Sequence, residues 1–341
     1  MDLRTLQQTA RALVAEGKGI LAADESFGTI EKRFKAVGIE ATEESRRDYR
    51  QMLFTTPGIG EVLSGVILFD ETIRQESSDG APLPKILEDQ GIIPGIKVDA
   101  GAKEMALAPG EKVTEGLDGL RERLAEYRAM GARFAKWRAV ITIGDGIPTR
   151  RCIRANAHAL ARYAALCQEQ DLVPIVEPEV LIDGDHTIEQ CYEATEGTLR
   201  ETFHELYEQR VELSGMLLKP NMVISGKEAA EQSGVEEVAR MTVECLRRSV
   251  PAAVPGIVFL SGGQSDKQAT AHLNAMNRDY ENLPWEISFS YARALQEKPM
   301  ETWAGNASNV EAAQKAFQHR LKMNGAARSG SYSEEMERGA A

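Results

Sequence analysis

Residues 215–223 read GMLLKPNMV, a run of β-forming apolar residues that holds a single charge, Lys219. A glycine opens the run and Pro220 lies directly behind the lysine, so the pattern predicts a short buried strand. Burying an ammonium group is costly unless the protein neutralises it or uses it. The run therefore predicts one strand of a buried sheet, and it makes Lys219 the first candidate functional residue.

Seven further runs of this kind occur along the 341-residue chain, with helical patterns between them. They are residues 19–26, 65–70, 93–99, 134–141, 172–180, 256–263 and 286–295. Alternating strands and helices predict a parallel sheet with right-handed crossovers, and eight strands close a (β/α)8 barrel. An open doubly wound sheet is the alternative, but it usually has a GxGxxG turn after its first strand, where this chain has DESFGTIEK. The predicted fold class is α/β, a single TIM barrel.

The segments between the predicted strands contain no domain linker or sequence repeat. Apolar residues at helical spacing predict helices over 117–127, 152–170, 187–213 and 235–250, with Gly131 ending the first. We therefore expect one barrel domain over residues 1–324. Residues 325–341, GAARSGSYSEEMERGAA, are small and polar, which predicts a flexible C-terminal tail.

Composition and charge argue against several classes of function. The formal net charge of −12 argues against binding to nucleic acid, and no apolar run reaches the roughly 20 residues that span a bilayer. The five histidines lack the spacing of zinc ligands, so no metal site is expected. Four widely spaced cysteines without a CxxC pair are interpreted as reduced thiols of a cytoplasmic protein, namely Cys152, Cys167, Cys191 and Cys245.

Polar residues end all eight predicted strands, where barrel enzymes have their active sites. They include Asp24, Asp70, Lys97, Lys136, Arg138, Glu177, Glu179, Lys219, Ser261, Ser290 and Arg293. Strand side chains alternate between two faces, so Lys136 and Arg138 share one face, as do Glu177 and Glu179. Asp70 is interpreted as a strand-end residue that faces a loop. The others are expected to converge on one mouth of the barrel.

Lysine and carboxylate side chains at one mouth indicate Schiff-base chemistry. A lysine amine is nucleophilic only when deprotonated, and both desolvation and a neighbouring cation such as Lys136 lower its pKa. The amine of Lys219 would attack a carbonyl, and a carboxylic acid such as Glu177 would donate the proton that expels water. The resulting iminium draws electrons from a C–C bond, while a carboxylate such as Asp24 takes the proton of the departing hydroxyl.

Two groups of residues predict anion sites on either side of this lysine. The turn of Ser261, Gly262 and Gly263 opens a helix, so its N–H groups can converge on a phosphate, with Arg293 as a charged clamp. The second group, after the first and third strands, comprises Ser26, Thr29, Arg33 and Lys97. Two anion sites beside a reactive lysine imply a substrate with a phosphate at each end.

At this point the sequence closely resembles class I fructose-bisphosphate aldolase along nearly its whole length. The matching segments are LAADES (21–26), GIKVD (95–99), FAKWR (134–138), IVEPEV (175–180), LLKPNM (217–222), FLSGGQS (259–265) and SFSYARALQ (288–296). The resemblance implies a TIM barrel and metal-free, reversible cleavage of fructose 1,6-bisphosphate to dihydroxyacetone phosphate and glyceraldehyde 3-phosphate. It also implies that no cofactor is used and that the chain forms a homotetramer.

The resemblance also assigns roles to individual residues. It makes Lys219 the Schiff-base lysine and Glu177 the general acid/base, with Glu179 as its companion; the other catalytic positions are Lys136 and Asp24. Arg138 is counted among the substrate-binding residues. Ser261, Gly262, Gly263, Ser290 and Arg293 would hold the phosphate of the ketone half, and Ser26, Thr29, Arg33 and Lys97 would surround the other phosphate.

Three positions depart from the pattern of this family. Thr29 replaces a frequent serine but keeps the hydroxyl, and Ala292 replaces a frequent glycine, which would tighten the backbone near the phosphate. The chain ends in ERGAA where many relatives end in a tyrosine that aids proton exchange on the enamine. Tyr332 is not assigned that role, and the tail is predicted to be dispensable for turnover.

Three rival functions remain open at this stage. A transaldolase-like enzyme, or an aldolase that prefers fructose 1-phosphate, would need only one phosphate site. A catalytically silent scaffold would be expected to lack Lys219, Glu177 or Lys136, all of which are present. A metal-dependent aldolase would need a set of histidine ligands, which the scattered histidines do not supply.

Overall fold

Eight parallel strands form a closed barrel in a computed structural model that describes residues 1–339. The strands are β1 (Gly19–Ala23), β2 (Leu63–Leu68), β3 (Ile93–Lys97), β4 (Phe134–Ile141), β5 (Val173–Val180), β6 (Leu217–Leu218), β7 (Gly256–Phe259) and β8 (Glu286–Tyr291). Each strand pairs with its neighbours in chain order, and β1 pairs in parallel with both β2 and β8. The predicted (β/α)8 barrel is confirmed, and the open-sheet alternative is excluded.

Twelve α-helices of the described residues surround this barrel. They are α1 (Leu3–Leu13), α2 (Phe27–Ala36), α3 (Glu43–Phe54), α4 (Asp70–Arg74), α5 (Leu83–Glu88), α6 (Leu120–Ala129), α7 (Arg150–Glu169), α8 (Ile188–Glu208), α9 (Val235–Ser249), α10 (Asp266–Asp279), α11 (Arg293–Trp303) and α12 (Val310–Arg328). A two-stranded antiparallel hairpin, Ala102–Glu104 with Lys112–Thr114, follows β3. None of the described helices is both long and apolar enough to cross a membrane.

The predicted end of α6 at Gly131 is confirmed by its hydrogen bonds. Gly131 has a φ of 107°, and its N–H donates to the carbonyl of Arg128, while Ala132 donates to that of Tyr127 at 3.0 Å. These two bonds satisfy carbonyl groups at the helix end that would otherwise lack donors. A glycine is needed because other residues rarely adopt a positive φ.

Helix α1 closes the N-terminal end of the barrel. Its buried residues Leu6, Ala10 and Leu13 pack in one cluster with residues from the inside of the strands, among them Ile67 and Phe134. The period of the sequence predicts this helix but not where it packs. Catalytic residues lie at the opposite end of the barrel, so this apolar plug serves stability rather than chemistry.

The predicted domain boundary at Asn324 falls inside α12, which runs on to Arg328. Arg328 pairs with Glu286 of β8, and the ring of Tyr332 is buried against the core. Contacts with the barrel therefore continue beyond residue 324, because the helix buries one more turn than its small polar sequence suggests. Flexibility and dispensability of the tail stay predictions, and Ala340 and Ala341 lie outside the described residues. Because Tyr332 is buried and Glu337 pairs with the buried Arg320, a truncation after Arg328 would also remove packing contacts.

Gly95→Ala should destabilise the barrel, because a Cβ at Gly95 would stand 2.3 Å from the ring of Phe134. Forcing a methyl group into such a packed core costs about 1–3 kcal/mol. Gly197→Ala is the matched control, since Gly197 lies in α8 with no atom within 4 Å of an added Cβ. That substitution should stabilise the protein by about 0.5–1 kcal/mol. Denaturant midpoints of the two variants measure this, and a Gly95→Ala midpoint equal to the wild type would contradict the packing described.

Candidate active site

A cavity of about 760 Å³ opens at the C-terminal end of the barrel. Every residue that the sequence analysis assigns to the site lines it, and these residues come from the ends of β1, β3, β4, β5, β6, β7 and β8 or from the turns that follow. Asp70 lies outside the cavity at the start of α4, where it accepts a hydrogen bond from Tyr127 at 2.8 Å. The sequence analysis interprets Asp70 as a strand-end residue that faces a loop; the structure places it at the first position of α4, in contact with Tyr127 and Arg74.

Four buried charges form the centre of the cavity. The Nζ of Lys219 lies 3.4 Å from one oxygen of Glu177, and the Nζ of Lys136 lies 3.4 Å from the other. Lys136 also contacts the carboxylate of Asp24 at 2.6 Å. All four side chains are less than 10% exposed. Two ammonium and two carboxylate groups thus compensate each other where water is largely excluded, which an isolated buried charge cannot do.

Strand geometry places these groups on the inside of the barrel. Lys136 of β4 faces the cavity, while the next residue, Trp137, is fully buried among the outer helices and stacks on Tyr163. Lys219 directly follows β6, and its backbone N–H still donates to the carbonyl of Val176 in β5 at 2.8 Å. The lysine backbone is therefore fixed by the sheet, and the side chain extends into the cavity from a rigid position.

The two lysines have opposite pKa shifts. Burial lowers the pKa of Lys219, and the neighbouring ammonium of Lys136 acts in the same direction against the attraction of Glu177. Burial also disfavours the charge on Lys136, but the carboxylates around it, Asp24 first, raise the pKa of Lys136. Lys219 is therefore the lysine that more readily provides a free amine, and Lys136 stays an ammonium.

Asp24 is held as a carboxylate. Burial alone would raise its pKa, but the ammonium groups of Lys136 and Lys219 and the more distant Lys97 lower the pKa of Asp24 to about 2. One oxygen of Glu177, Oε2, has no hydrogen-bond partner within the described residues although it is buried. An unsatisfied oxygen in such a place is costly unless a ligand completes it, so Glu177 is the carboxylate open to a substrate.

Three cations on one wall of the cavity are each paired with a carboxylate. Lys97 contacts Asp99 at 2.8 Å, and the other two pairs are Arg33 with Glu25 and Arg138 with Glu179. Ser26 and Thr29, at the start of α2, lie beside them with their hydroxyl oxygens 3.3 Å apart. Lys103, on the hairpin after β3, also lines the cavity and has no carboxylate within 4 Å among residues 1–339.

Another wall of the cavity carries the glycine turn after β7. Gly262 and Gly263 have φ values of 56° and 82°, and the N–H groups of this turn donate to no acceptor within the part of the chain described. Ser290 is 1% exposed, and its hydroxyl has no partner there either. Ser265 caps the following helix α10 by accepting a hydrogen bond from the N–H of Gln268. The start of the helix therefore does not use the N–H groups of the glycine turn. Free donors around one point are suited to an anion.

Ala292 follows the strand that carries Ser290, where the sequence analysis expects a tighter backbone. Its φ is −102°, so the residue adopts no left-handed conformation that would require glycine. The residue also lines the cavity. The alanine methyl group is therefore accommodated beside the turn without backbone strain.

Lys103 and Phe69 are lining residues that the sequence analysis missed. Both lie after a strand, but Lys103 is six residues beyond Lys97 and reaches the cavity only because the chain folds back as a hairpin. The Pro109-Gly110 turn between two short polar runs was the available signal for that hairpin. Lys103 does not stand at the end of a barrel strand, so the strand pattern alone does not reveal it.

Comparison with known proteins agrees with this geometry. Residues 5–341 match the family described as class-I fructose-bisphosphate aldolase. The chain belongs to the class-I fructose-bisphosphate aldolase family. It is 61% identical over 333 residues to a probable fructose-bisphosphate aldolase class 1 of Xanthomonas campestris, which covers 97% of this chain and 99% of that protein.

A plant relative and a solved structure extend this comparison. The chain is 54% identical over 316 residues to the cytosolic fructose-bisphosphate aldolase 6 of Arabidopsis thaliana, with 93% of this chain and 88% of the relative covered. It superposes on fructose-bisphosphate aldolase from Plasmodium falciparum, solved in complex with TRAP and a small-molecule inhibitor, with a TM-score of 0.96 and 48% identity over 97% of this chain and 96% of that one. Membership of this family makes the protein an aldolase, which is a lyase acting on a sugar bisphosphate.

The cysteine and metal expectations concern residues away from this aldolase cavity. All four cysteines are buried and unpaired, as the absence of a CxxC motif predicts. Among residues 1–339 no group of three or more histidine, cysteine, aspartate or glutamate side chains is arranged to hold a metal ion.

Lys136→Met should move the pH midpoint of Lys219 reactivity upward. The substitution removes the repulsion between two ammonium groups and leaves the carboxylates to stabilise Lys219 alone, so its pKa rises toward the ordinary value of 10.5. Only the deprotonated amine reacts, so the variant should need a higher pH for labelling. The rate of Lys219 labelling by an amine reagent, followed by peptide mass spectrometry across pH, measures the midpoint.

The matched control for this experiment is Lys298→Met, which removes an exposed lysine of α11 outside the cavity. Its midpoint should equal that of the wild type. A midpoint for Lys136→Met that stays in place or falls would mean that Lys136 does not set the charge state of Lys219.

Proposed function

We propose that this aldolase cleaves fructose 1,6-bisphosphate reversibly to dihydroxyacetone phosphate and glyceraldehyde 3-phosphate, without a metal ion, through a Schiff base on Lys219. The observation that carries the proposal is the buried contact of Lys219 with Glu177 at 3.4 Å, in a cavity lined by further cationic groups. Iminium formation supplies the electron sink that the reaction needs, and this role does not require a metal.

The first half of the reaction forms the iminium. The free amine of Lys219 adds to the C2 carbonyl carbon and gives a carbinolamine. Glu177, which takes the proton that Lys219 loses on becoming a free amine, passes this proton to the C2 hydroxyl, and water leaves as the nitrogen lone pair forms the C=N bond. The buried position of Lys219 supports this step, because burial lowers its pKa and so favours the free amine.

The second half breaks the C3–C4 bond. The bonding electrons move to the iminium nitrogen and form an enamine, while the C4 hydroxyl loses its proton and becomes the aldehyde. Glu177 is a carboxylate after dehydration, and its Oε2, which contacts Lys136 at 3.4 Å but accepts no hydrogen bond, makes it the base that we favour for this proton. Asp24 was the predicted base, but a pKa of about 2 makes it a weak one, and we propose that it holds Lys136 as an ammonium instead.

The two anion sites account for a bisphosphate. We assign the ketone-end phosphate to Ser261, Gly262, Gly263, Ser290 and Arg293, and the aldehyde-end phosphate to Ser26, Thr29, Arg33 and Lys97. Arg138 is held by Glu179 and also lines the cavity. A substrate without a ketone-end phosphate would leave the free donors of the glycine turn without an acceptor, which disfavours the transaldolase-like alternative. Fructose 1-phosphate would leave the charge of Lys103 without an anion. A homotetramer, a cytoplasmic location and a role in glycolysis or gluconeogenesis stay predictions.

Borohydride trapping with dihydroxyacetone phosphate tests the central step. Reduction should attach the substrate carbon skeleton to the peptide that contains Lys219 and to no other peptide, because only an iminium is reduced to a stable amine. Lys219→Met should lose the adduct and lower turnover by at least about a thousandfold while keeping the wild-type circular dichroism spectrum. EDTA should leave wild-type turnover unchanged.

The Lys298→Met variant again serves as the lysine-removal control and should form the adduct normally. An adduct on another lysine, or none at all, would overturn the assignment of Lys219. A loss of activity in EDTA that zinc restores would overturn the metal-free mechanism.

Lys103→Met should affect fructose 1,6-bisphosphate and spare fructose 1-phosphate. Lys103 lacks a carboxylate partner, so its charge is available to an aldehyde-end phosphate on the wall of Lys97. We expect KM for the bisphosphate to rise about fivefold, roughly 1 kcal/mol, with KM for the monophosphate unchanged. Steady-state kinetics on both substrates measure this, and an equal rise for both would show that Lys103 does not read the second phosphate.

A further inference from the structure

Lys227 is a cation at the cavity edge to which neither the sequence motifs nor the proposed mechanism gives a role. A Cβ built on Gly263 would stand 2.8 Å from the Nζ of Lys227 and 3.2 Å from an Nη of Arg293. The two cationic groups therefore converge on the same point beside the glycine turn. Arg293 is already assigned to the ketone-end phosphate. Lys227 reaches the same place from the segment before β7, whereas Arg293 follows β8.

We propose that Lys227 is a further phosphate-binding residue, which pairs with Arg293 to hold the phosphate at the ketone end of the substrate. The proposal rests on the proposed function, because it names a ligand of the same site. A phosphate over the turn would accept from the N–H groups of Gly262 and Gly263 and lie between one ammonium and one guanidinium group.

Hydrogen bonds to a neighbouring segment fix the backbone around Lys227. Residues 226–228 donate three hydrogen bonds of 2.9 Å to the segment after β5, from Gly226 to the carbonyl of His186, from Lys227 to that of Ile182 and from Glu228 to that of Gly184. A Cβ on Gly226 would stand 2.2 Å from the carbonyl oxygen of Gly184, so only glycine fits. The segment is therefore locked against its neighbour, and the lysine extends from a rigid base.

The charge of Lys227 is only weakly neutralised. Its one carboxylate partner among the described residues is Asp183, at 3.3 Å, and the two side chains are 44% and 67% exposed. An exposed ion pair of this kind is weak, because solvent screens the attraction. Arg293 has no carboxylate within 4 Å in residues 1–339. The locus thus offers two cations against one exposed carboxylate, which leaves net positive charge for a phosphate.

The competing explanation is that Lys227 only tethers its segment to Asp183. A tether requires both partners, whereas phosphate binding requires the lysine alone. Asp183→Asn therefore separates the two explanations, since it removes the tether and leaves the charge of Lys227 in place. Lys227→Arg is the conservative variant, because arginine keeps the charge and also binds phosphate.

Steady-state kinetics with fructose 1,6-bisphosphate and with fructose 1-phosphate test the proposal, since both carry the ketone-end phosphate. Lys227→Met should raise KM about tenfold for both substrates, with kcat within about twofold of the wild type. Lys227→Arg should stay within about threefold of wild-type KM. Asp183→Asn should leave KM unchanged or lower it, because the lysine loses its competing partner.

Any other pattern of KM values overturns the proposal, and each pattern identifies a different reason. Unchanged KM in Lys227→Met means that the lysine does not contact the phosphate, and equal increases in Lys227→Met and Asp183→Asn mean that it is a tether. An increase of KM for the bisphosphate alone would mean that Lys227 contacts the phosphate at the aldehyde end. A wild-type protein that cleaves neither substrate would instead refute the proposed function itself.

Discussion

The position of Glu177 between two ammonium groups is the interaction on which the rest of the site depends. Removing any one of the four buried charges would leave another uncompensated in a region of low polarity, at a cost of several kcal/mol. The two lysines are nevertheless not equivalent, since Lys136 has Asp24 at 2.6 Å in addition to Glu177, while Lys219 has Glu177 alone at 3.4 Å. This difference moves the pKa values of the two lysines in opposite directions, which fits the proposed roles of Lys219 as nucleophile and Lys136 as a permanent cation.

The barrel supplies the rigidity that such a cluster requires. Its members come from four different strands, so their distances are set by sheet hydrogen bonds rather than by loops. At the other end Phe134 fills the space beside Gly95 and Gly65, and helix α1 closes the opening with apolar side chains. Stability and chemistry are thereby placed at opposite ends of the same strands, and the packed end carries none of the charges on which the chemistry depends.

Much of this arrangement follows from local sequence, and the rest does not. Apolar runs predict all eight strands, and the period of two places Lys136 and Arg138 on the cavity side, where the structure has them. Local patterns do not indicate how far a later turn folds back. Lys103 and Lys227 are therefore not predicted from the sequence, although Lys103 lines the cavity and Lys227 lies at its edge. The boundary at residue 324 fails for a related reason, since the last turn of α12 is made stable by Arg328 contacting the distant Glu286.

Closure of the barrel between β1 and β8 also connects the two anion sites. Ile20 pairs with Ser290, and in α11 the buried Gln296 donates to the carbonyl of Ala22 at 2.7 Å and to Glu25 at 2.9 Å. Glu25 in turn holds Arg33 on one wall, while Arg293 begins the helix that carries Gln296 on the other. Gln296 thus joins the helix that begins at Arg293 to the carboxylate that holds Arg33. Under the proposed function, a substrate held at both ends would be positioned by the barrel itself, so its orientation toward Lys219 would cost little at the moment of reaction.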